Sequence, residues 1–304
     1  MTKDKYPYIA LAFGLVAVST ASVLVKLSDA PSSIIAAYRI FFTVVILGIP
    51  TLIFKRKELA KVTKRELSYS FLSGTFLAFH FITWFESLKY TSVASSVVLV
   101  TLQPVFAMLG TYLFFKETVS IKEIFGALLA FSGSVVIGWG DFKIGGMALY
   151  GDILALTGAI FVTGYWLVGQ SLRKTLSLLP YTFLVYGASA IVLFGYNIAL
   201  GIELFAYEMD HWLIFIALAI IPTVFGHTIF NWALKYVNTT TVSVTILGEP
   251  IGATLLAFYI LNEMVTTTQL LGGLVILTGI FIYLKYNKTE KSTGDIIAKE
   301  QIEF

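Results

Sequence analysis

Long apolar runs broken by short polar segments pattern the whole chain. Ten can be marked, roughly at residues 7–26, 33–54, 68–88, 92–115, 121–140, 149–170, 180–201, 212–234, 240–261 and 267–286. Each approaches the roughly 20 apolar residues that a helix needs to cross a hydrocarbon core. The runs are about twice as long as a tilted membrane strand and do not alternate polar with apolar, which excludes a membrane β-barrel. The pattern predicts an all-α integral membrane protein with ten transmembrane helices set in a lipid bilayer. Composition agrees, since 57% of the 304 residues are hydrophobic, 13% are charged and the mean hydropathy is +0.84. A soluble domain carries about 25% charge.

The net charge of +3 says less than the placement of the charges. With the N terminus inside, seventeen of the 21 Lys and Arg fall on inner segments, among them Lys55, Arg56, Lys57, Lys61, Lys64 and Arg65. Lys26, Lys89 and Lys143 fall outside, and Arg39 lies within the second span. Because inner loops hold the excess of Lys and Arg, both termini are expected in the cytoplasm. The first run follows Lys3 and Lys5 but lacks a small-residue cleavage site, so it reads as a retained helix and not a signal peptide. There is no cysteine, hence no disulfide framework and no thiolate metal site.

The second half of the chain repeats the first. At a constant offset of 146 residues, Leu88, Lys89 and Tyr90 match Leu234, Lys235 and Tyr236, and Pro104, Glu117, Gly126 and Gly133 match Pro250, Glu263, Gly272 and Gly279. Gly14 and Gly158 are a weaker echo near the start of each half. Five spans per half is an odd number, so the second half enters the bilayer from the opposite side and the repeats are inverted. Such repeats place a binding site near mid-depth between the halves. The expected division is residues 1–143, residues 144–286 and a cytoplasmic tail, 287–304.

With that layout, the segments LKYTSVASSVVLVTLQPVFAMLGTYLFFKE at 88–117 and LKYVNTTTVSVTILGEPIGATLLAFYILNE at 234–263 resemble the drug/metabolite transporter superfamily, specifically its EamA-type members. The resemblance implies a bacterial inner-membrane carrier of small organic metabolites such as amino acids, often an exporter, working without ATP hydrolysis or a cofactor. It is specific for the fold and weak for the substrate. Its implied partners are a small-molecule substrate and the bilayer, with protons as a candidate coupling ion and no nucleic acid. Monomer and homodimer both stay open.

Glu249 is the sharpest anomaly, an acid about ten residues into its span and so near mid-bilayer at about 1.5 Å per residue. An ionisable group there is costly and is by default a functional candidate, able to hold or release a proton. Its repeat mate is Gln103, and a hydrogen bond between the two is the structural alternative. Pro104 and Pro250 follow directly and predict kinks that free carbonyls near Val100 and Ile246, with Gly248 and Gly252 letting the central helices cross closely. His80 and His227 lie at similar depths, with Trp84 and Asn231 one turn further on. Thr223, His227, Asn231 and Lys235 form a stripe at four-residue spacing that should face protein or water. Arg39 and Glu86 are expected as an ion pair near the outer end or, alternatively, as a gate in which Arg39 holds a substrate carboxylate. Tyr38, Trp84 and Trp166 are aromatic candidates for an apolar wall. The expected cavity lies between the third, fourth, eighth and ninth spans. Its substrate-binding candidates are Glu249, Gln103, His80, His227, Asn231, Trp84, Tyr38, Arg39 and Trp166. Glu117 and Glu263 read as helix ends or loop contacts.

Two rivals remain. Gly-Trp-Gly-Asp at 138–141 fits a membrane aspartyl protease, but the only earlier aspartates, Asp4 and Asp29, lie near membrane boundaries and Asp141 itself falls at a span end. A passive channel needs repeated selectivity groups along one pore, whereas Gln103 and Glu249 differ. The sequence holds neither an HExxH zinc motif nor a Walker A loop. The expected protein is therefore not an enzyme.

Overall fold

The computed structural model describes residues 5–91, 93–138, 146–261 and 264–287, and all regular structure among them is helical. The first half contains α1 (Tyr6–Val18), α2 (Ala21–Lys26), α3 (Ser32–Phe54), α4 (Arg56–Leu59), α5 (Lys64–Tyr90), α6 (Val93–Val100), α7 (Gln103–Phe115) and α8 (Ile121–Gly138). The second contains α9 (Gly146–Leu172), α10 (Leu178–Ala199), α11 (Met209–Leu218), a π-helical segment (Ala219–His227), α12 (Thr228–Ala233), α13 (Thr239–Ile246), α14 (Glu249–Leu261) and α15 (Thr267–Tyr286). The expected boundary at 143/144, Asp141, Glu263 and the tail beyond 287 lie outside the described residues.

Followed through their breaks, eight helices among the described residues are long and apolar enough to cross a membrane: Tyr6–Lys26, Ser32–Phe54, Ser95–Phe115, Gly146–Leu172, Leu178–Ala199, Met209–Ala233, Thr239–Ile260 and Thr267–Tyr286. The other two of the ten expected spans, α5 and α8, fall outside that set. α5 carries Lys64, Arg65 and Glu66 in its first turn and α8 carries Lys122 and Glu123, and serines and threonines recur along α5. Both still run beside membrane-spanning helices, α5 against α9 and α10, and α8 against α15.

The inversion of the repeats is visible in one glycine seam. A Cβ added at Gly126 would lie 2.9 Å from the Gly279 carbonyl oxygen, and one at Gly133 would lie 2.6 Å from that of Gly272. Residue numbers rise along α8 as they fall along α15, so the two helices are antiparallel. The 146-residue offset turns Gly126 into Gly272 and Gly279 into Gly133, exchanging one contact for the other. That is the behaviour of a two-fold axis lying across the helices, in the membrane plane.

The weaker echo obeys the same symmetry. Gly14 faces the ring of Phe230 and Gly158 faces Trp84, where an added Cβ would come within 2.7 Å and 3.3 Å respectively. Phe230 is the repeat mate of Trp84. Accordingly α9 packs on α5, α1 packs on the π-helical segment and α12, and α3 packs on α10. The halves are interleaved, each burying its opening helix against the third span of the other.

The fourth and ninth spans are discontinuous. The chain leaves helical continuity after Val100 and after Ile246, then restarts at Gln103 and at Glu249. Pro104 and Pro250 are each the second residue of the restarted helix, where an amide N–H would have no helical partner in any case. They therefore begin half-helices and do not kink continuous ones, a correction to the expected role. Gly248 and Gly252 abut the first span, where an added Cβ would meet Leu15 and Ser19.

Candidate functional site

Between the two helix breaks lies a cavity of about 20 Å³, room for roughly one water molecule. Half of its wall comes from α5 and the breaks: His80 and Trp84, Val100 and Gln103, Ile246 and Glu249. Trp166 and Val162 of α9, His227 and Phe230, and Val18 and Ala21 of the first span complete it. Six of the nine candidates thus meet in one place. The first and sixth spans join the four expected walls, because the interleaved packing pushes each half's opening helix into the centre.

The two histidines are held in matching ways. His80 stacks on Trp84 with centroids 5.6 Å apart and planes 19° apart, and His227 stacks on Trp166 at 5.6 Å and 10°. Nδ1 of His80 lies 2.9 Å from the Gly158 carbonyl oxygen, which can only accept, so Nδ1 carries a proton and donates. Around the cavity, Trp84 Nε1, Trp166 Nε1, His227 Nδ1, Gln103 Oε1 and Glu249 Oε1 are buried without hydrogen-bond partners. Leaving such a group unpaired costs about 1–3 kcal/mol. Two indole donors and two oxygen acceptors therefore belong to residues around the same small space. No hydrogen bond joins Gln103 to Glu249.

Arg39 does not line the cavity. It is wholly buried, donating from Nε to Thr223 Oγ1 at 2.8 Å with its guanidinium carbon 4.3 Å above the Phe81 ring. Its two terminal nitrogens have no hydrogen-bond partner, and it interacts electrostatically with Glu249. The expected pair with Glu86 is not formed. Glu86 instead binds Lys89 at 3.0 Å and accepts from the Tyr90 hydroxyl at 3.3 Å. Both partners stay partly hydrated there, which costs less than burying a second charge beside Arg39.

Thr223 in turn donates to the Leu218 carbonyl five residues back at 2.7 Å. The hydroxyl makes this bond, and Thr223 itself stands inside the π-helical segment, a kind of turn that frequently marks functional sites. The α-helical stripe expected through Thr223, His227 and Asn231 is therefore widened at its start, with Pro222 inside the segment as the one sequence sign of it. Those three residues are buried in protein, while Lys235 is exposed at the end.

Tyr38 and Asn231 also stand away from the cavity. Tyr38 donates to the Leu204 carbonyl at 2.8 Å and stacks on Phe215. The Asn231 amide accepts from the Tyr165 hydroxyl and donates to Tyr186, each at 2.9 Å, forming a polar layer between the cavity and the Lys/Arg-rich face. Tyr186 carried no signal in the sequence, since it sits in an ordinary apolar run. At the opposite face a vestibule of about 300 Å³ is lined by Lys26, Asp29, Phe85 and Lys89. Its wall residue Ser28 is bonded at 2.9 Å to His211, a histidine that sequence reasoning passed over.

An all-helical bundle of two interleaved, inverted repeats, with buried polar groups at the breaks of two discontinuous spans, is the architecture of a membrane transporter. Residues 6–139 and 149–285 match the EamA-like transporter family, and the chain belongs to that family. Among its relatives are the uncharacterized transporters YdfC and YxxF of Bacillus subtilis. YdfC is 26% identical over 75% of this chain and 74% of its own length, and YxxF is 24% identical over 88% and 87%. An uncharacterized transporter of Archaeoglobus fulgidus is 26% identical over 67% of this chain and 73% of its own. A solved crystal structure shares the fold with a TM-score of 0.75 at 16% identity, covering 94% of this chain and 99% of that one.

Proposed function

We propose that this transporter is a secondary carrier that exports small organic metabolites, amino acids or their relatives, across the bacterial inner membrane by alternating access. Its termini and Lys/Arg-rich face lie in the cytoplasm. Cargo is held among Glu249, Gln103, His80, Trp84, Trp166 and His227, with Arg39 as the buried counter-charge. Tyr38 packs the outer end of that unit and Asn231 closes it toward the cytoplasm.

The observation that carries this reading is the set of five unpartnered polar atoms on residues around one cavity. Packing residues would have found partners, whereas a compact molecule bearing both donors and acceptors, as an amino acid does, satisfies indoles and carboxylate together. The small volume fits a contracted state that expands when cargo enters. Export is the direction that the family resemblance implies, and protons are the candidate coupling ion through Glu249.

Purified protein in sealed liposomes, loaded and challenged with a panel of amino acids, tests the reading. A carrier saturates and is accelerated by substrate on the far side. Flux linear in concentration without trans-stimulation would point to the passive channel instead.

A further inference from the structure

The stretch from Lys55 to Glu66, from the end of α3 into the first turn of α5, is the most basic of the chain, with Lys55, Arg56, Lys57, Lys61, Lys64 and Arg65. Its two acids do not spend their oxygens mainly on those cations. Glu58 accepts from the Ser177 backbone amide and from the Ser177 hydroxyl, both at 2.7 Å, while Lys55 stands at 3.6 Å. Glu66 closes a capping box with Thr63 and accepts from the Thr175 hydroxyl at 2.7 Å. Thr175 and Ser177 belong to the second repeat, in the loop between α9 and α10.

A third acid of the first repeat on this face does the same. Glu117 accepts from Gln170 Nε2 at 2.9 Å and from Asn238 Nδ2 at 2.8 Å, and Gln170 in turn accepts from the Thr239 amide at 2.7 Å. The contacts of Glu58 with Ser177, of Glu66 with Thr175 and of Glu117 with Gln170 and Asn238 each join a first-repeat carboxylate to a neutral donor of the second repeat. The repeat mates of Glu58 and Glu66 are Leu204 and Trp212, so the opposite face has no copy of these two contacts.

We propose that Glu58, Glu66 and Glu117 form a clasp that holds the two repeats together at the basic face, and that its release is the step that opens the central site to that side. The inference rests on the alternating-access reading. Carboxylates bonded to neutral donors suit a contact that is remade in each cycle. Such bonds are stronger than neutral ones, yet they avoid burying an ion pair. Each carboxylate can be hydrated when the face opens.

The chain lacks cysteine, so single reporters are unambiguous. Ser243 is buried on α13 between the clasp and the cavity, with its hydroxyl unpartnered, and Ser243→Cys reports access from the basic face. Val18 lines the cavity, and Val18→Cys reports access from the opposite face. Each is labelled with a membrane-impermeant maleimide applied to one side. Glu58→Gln combined with Glu66→Gln should raise labelling of Ser243→Cys about tenfold, the order expected for losing charge-assisted hydrogen bonds. Thr175→Ala with Ser177→Ala removes the donors instead and should act alike, so a folding defect in one pair does not decide the matter. Unchanged labelling in folded variants of both pairs overturns the clasp. If Ser243→Cys labelling rises while Val18→Cys labelling from the other face does not fall, the clasp stands but the carrier reading fails.

Discussion

The imidazoles of His80 and His227 lie with centroids 6.4 Å apart, each backed by a tryptophan from within one turn or from a facing helix. They come from opposite repeats and from positions one residue out of exact register. Trp166→Phe keeps the surface that supports His227 but removes the unpartnered indole donor. It should weaken substrate binding by about five- to tenfold, the worth of one hydrogen bond of about 1–1.5 kcal/mol, with little change in melting temperature. Ligand-induced stabilisation of the purified variant checks both halves of the expectation.

Glu249 and Gln103 occupy equivalent places at the starts of α14 and α7. Glu249→Gln should abolish transport or uncouple it from pH, while the doubly exchanged Gln103→Glu, Glu249→Gln protein should recover part of the activity, since the pseudo-two-fold returns the charge to the same cavity. Liposome uptake across a pH gradient is the measurement. Full activity in the single variant would remove Glu249 from the mechanism.

The seam of α8 on α15 depends on missing side chains. Gly126→Ala and Gly272→Ala each drive a methyl group toward backbone atoms, at 2.5 Å from the Tyr283 nitrogen and 2.7 Å from the Gly133 oxygen. Each should cost about 1–3 kcal/mol. By contrast, nothing lies within 4 Å of a Cβ built on Gly187 or Gly195 in α10. Alanine at either position should be neutral or stabilise by up to about 1 kcal/mol through helix propensity. Thermal melts in detergent separate the two groups.

Glu86 pairs with Lys89 at the rim, both partly exposed, and such pairs contribute about 0–1 kcal/mol. Glu86→Gln should leave stability and transport almost unchanged. Arg39→Leu should abolish transport, because it strips the π-helical segment of its anchor at Thr223 and leaves Glu249 without its buried counter-charge. Comparing uptake by the two variants tests whether the two residues act as one gate.

The clasp has a definite pH sign. Burial alone would raise the Glu58 carboxyl, but the Ser177 hydroxyl and amide, helped by Lys55, hold it below the ordinary value of 4.5. The Thr63 amide and the Thr175 hydroxyl do the same for Glu66. A lowered value in the closed form means that closure is fully supported above the ordinary carboxylate range and is lost as pH falls through the lowered value. Labelling of Ser243→Cys from the basic face should therefore stay flat between about pH 6 and about pH 8 and rise only in acid, near and below about pH 4. A steep change near neutrality would place the closing charge elsewhere.

Much of the architecture was legible because a bilayer permits little choice. Backbone groups must be satisfied within each segment, so apolar runs of this length become helices, and the 146-residue register matched Gly126 with Gly272 and Gly133 with Gly279, the four glycines that meet in the seam. Legibility failed where a side chain had more than one available partner. Arg39 and Glu86 lie at similar depth, yet depth does not say which face of a helix each occupies or that Lys89 stands nearer. Asn231 stands out as a polar residue in an apolar run, yet nothing local says that Tyr165 and Tyr186 take up its amide.

The sequence by itself determined the helical class, the duplication, its inversion and the anomalous polar residues at mid-depth, since each follows from hydropathy, charge placement and register alone. Only the tertiary structure decided that the halves interleave, that the fourth and ninth spans break at Gln103 and Glu249, and that a π-helical turn stands beside Arg39. The physical reason is that these features depend on which surfaces pack against which. The chain encodes that choice in contacts between residues far apart, such as Gly14 with Phe230 and Glu58 with Ser177, and no local pattern records it.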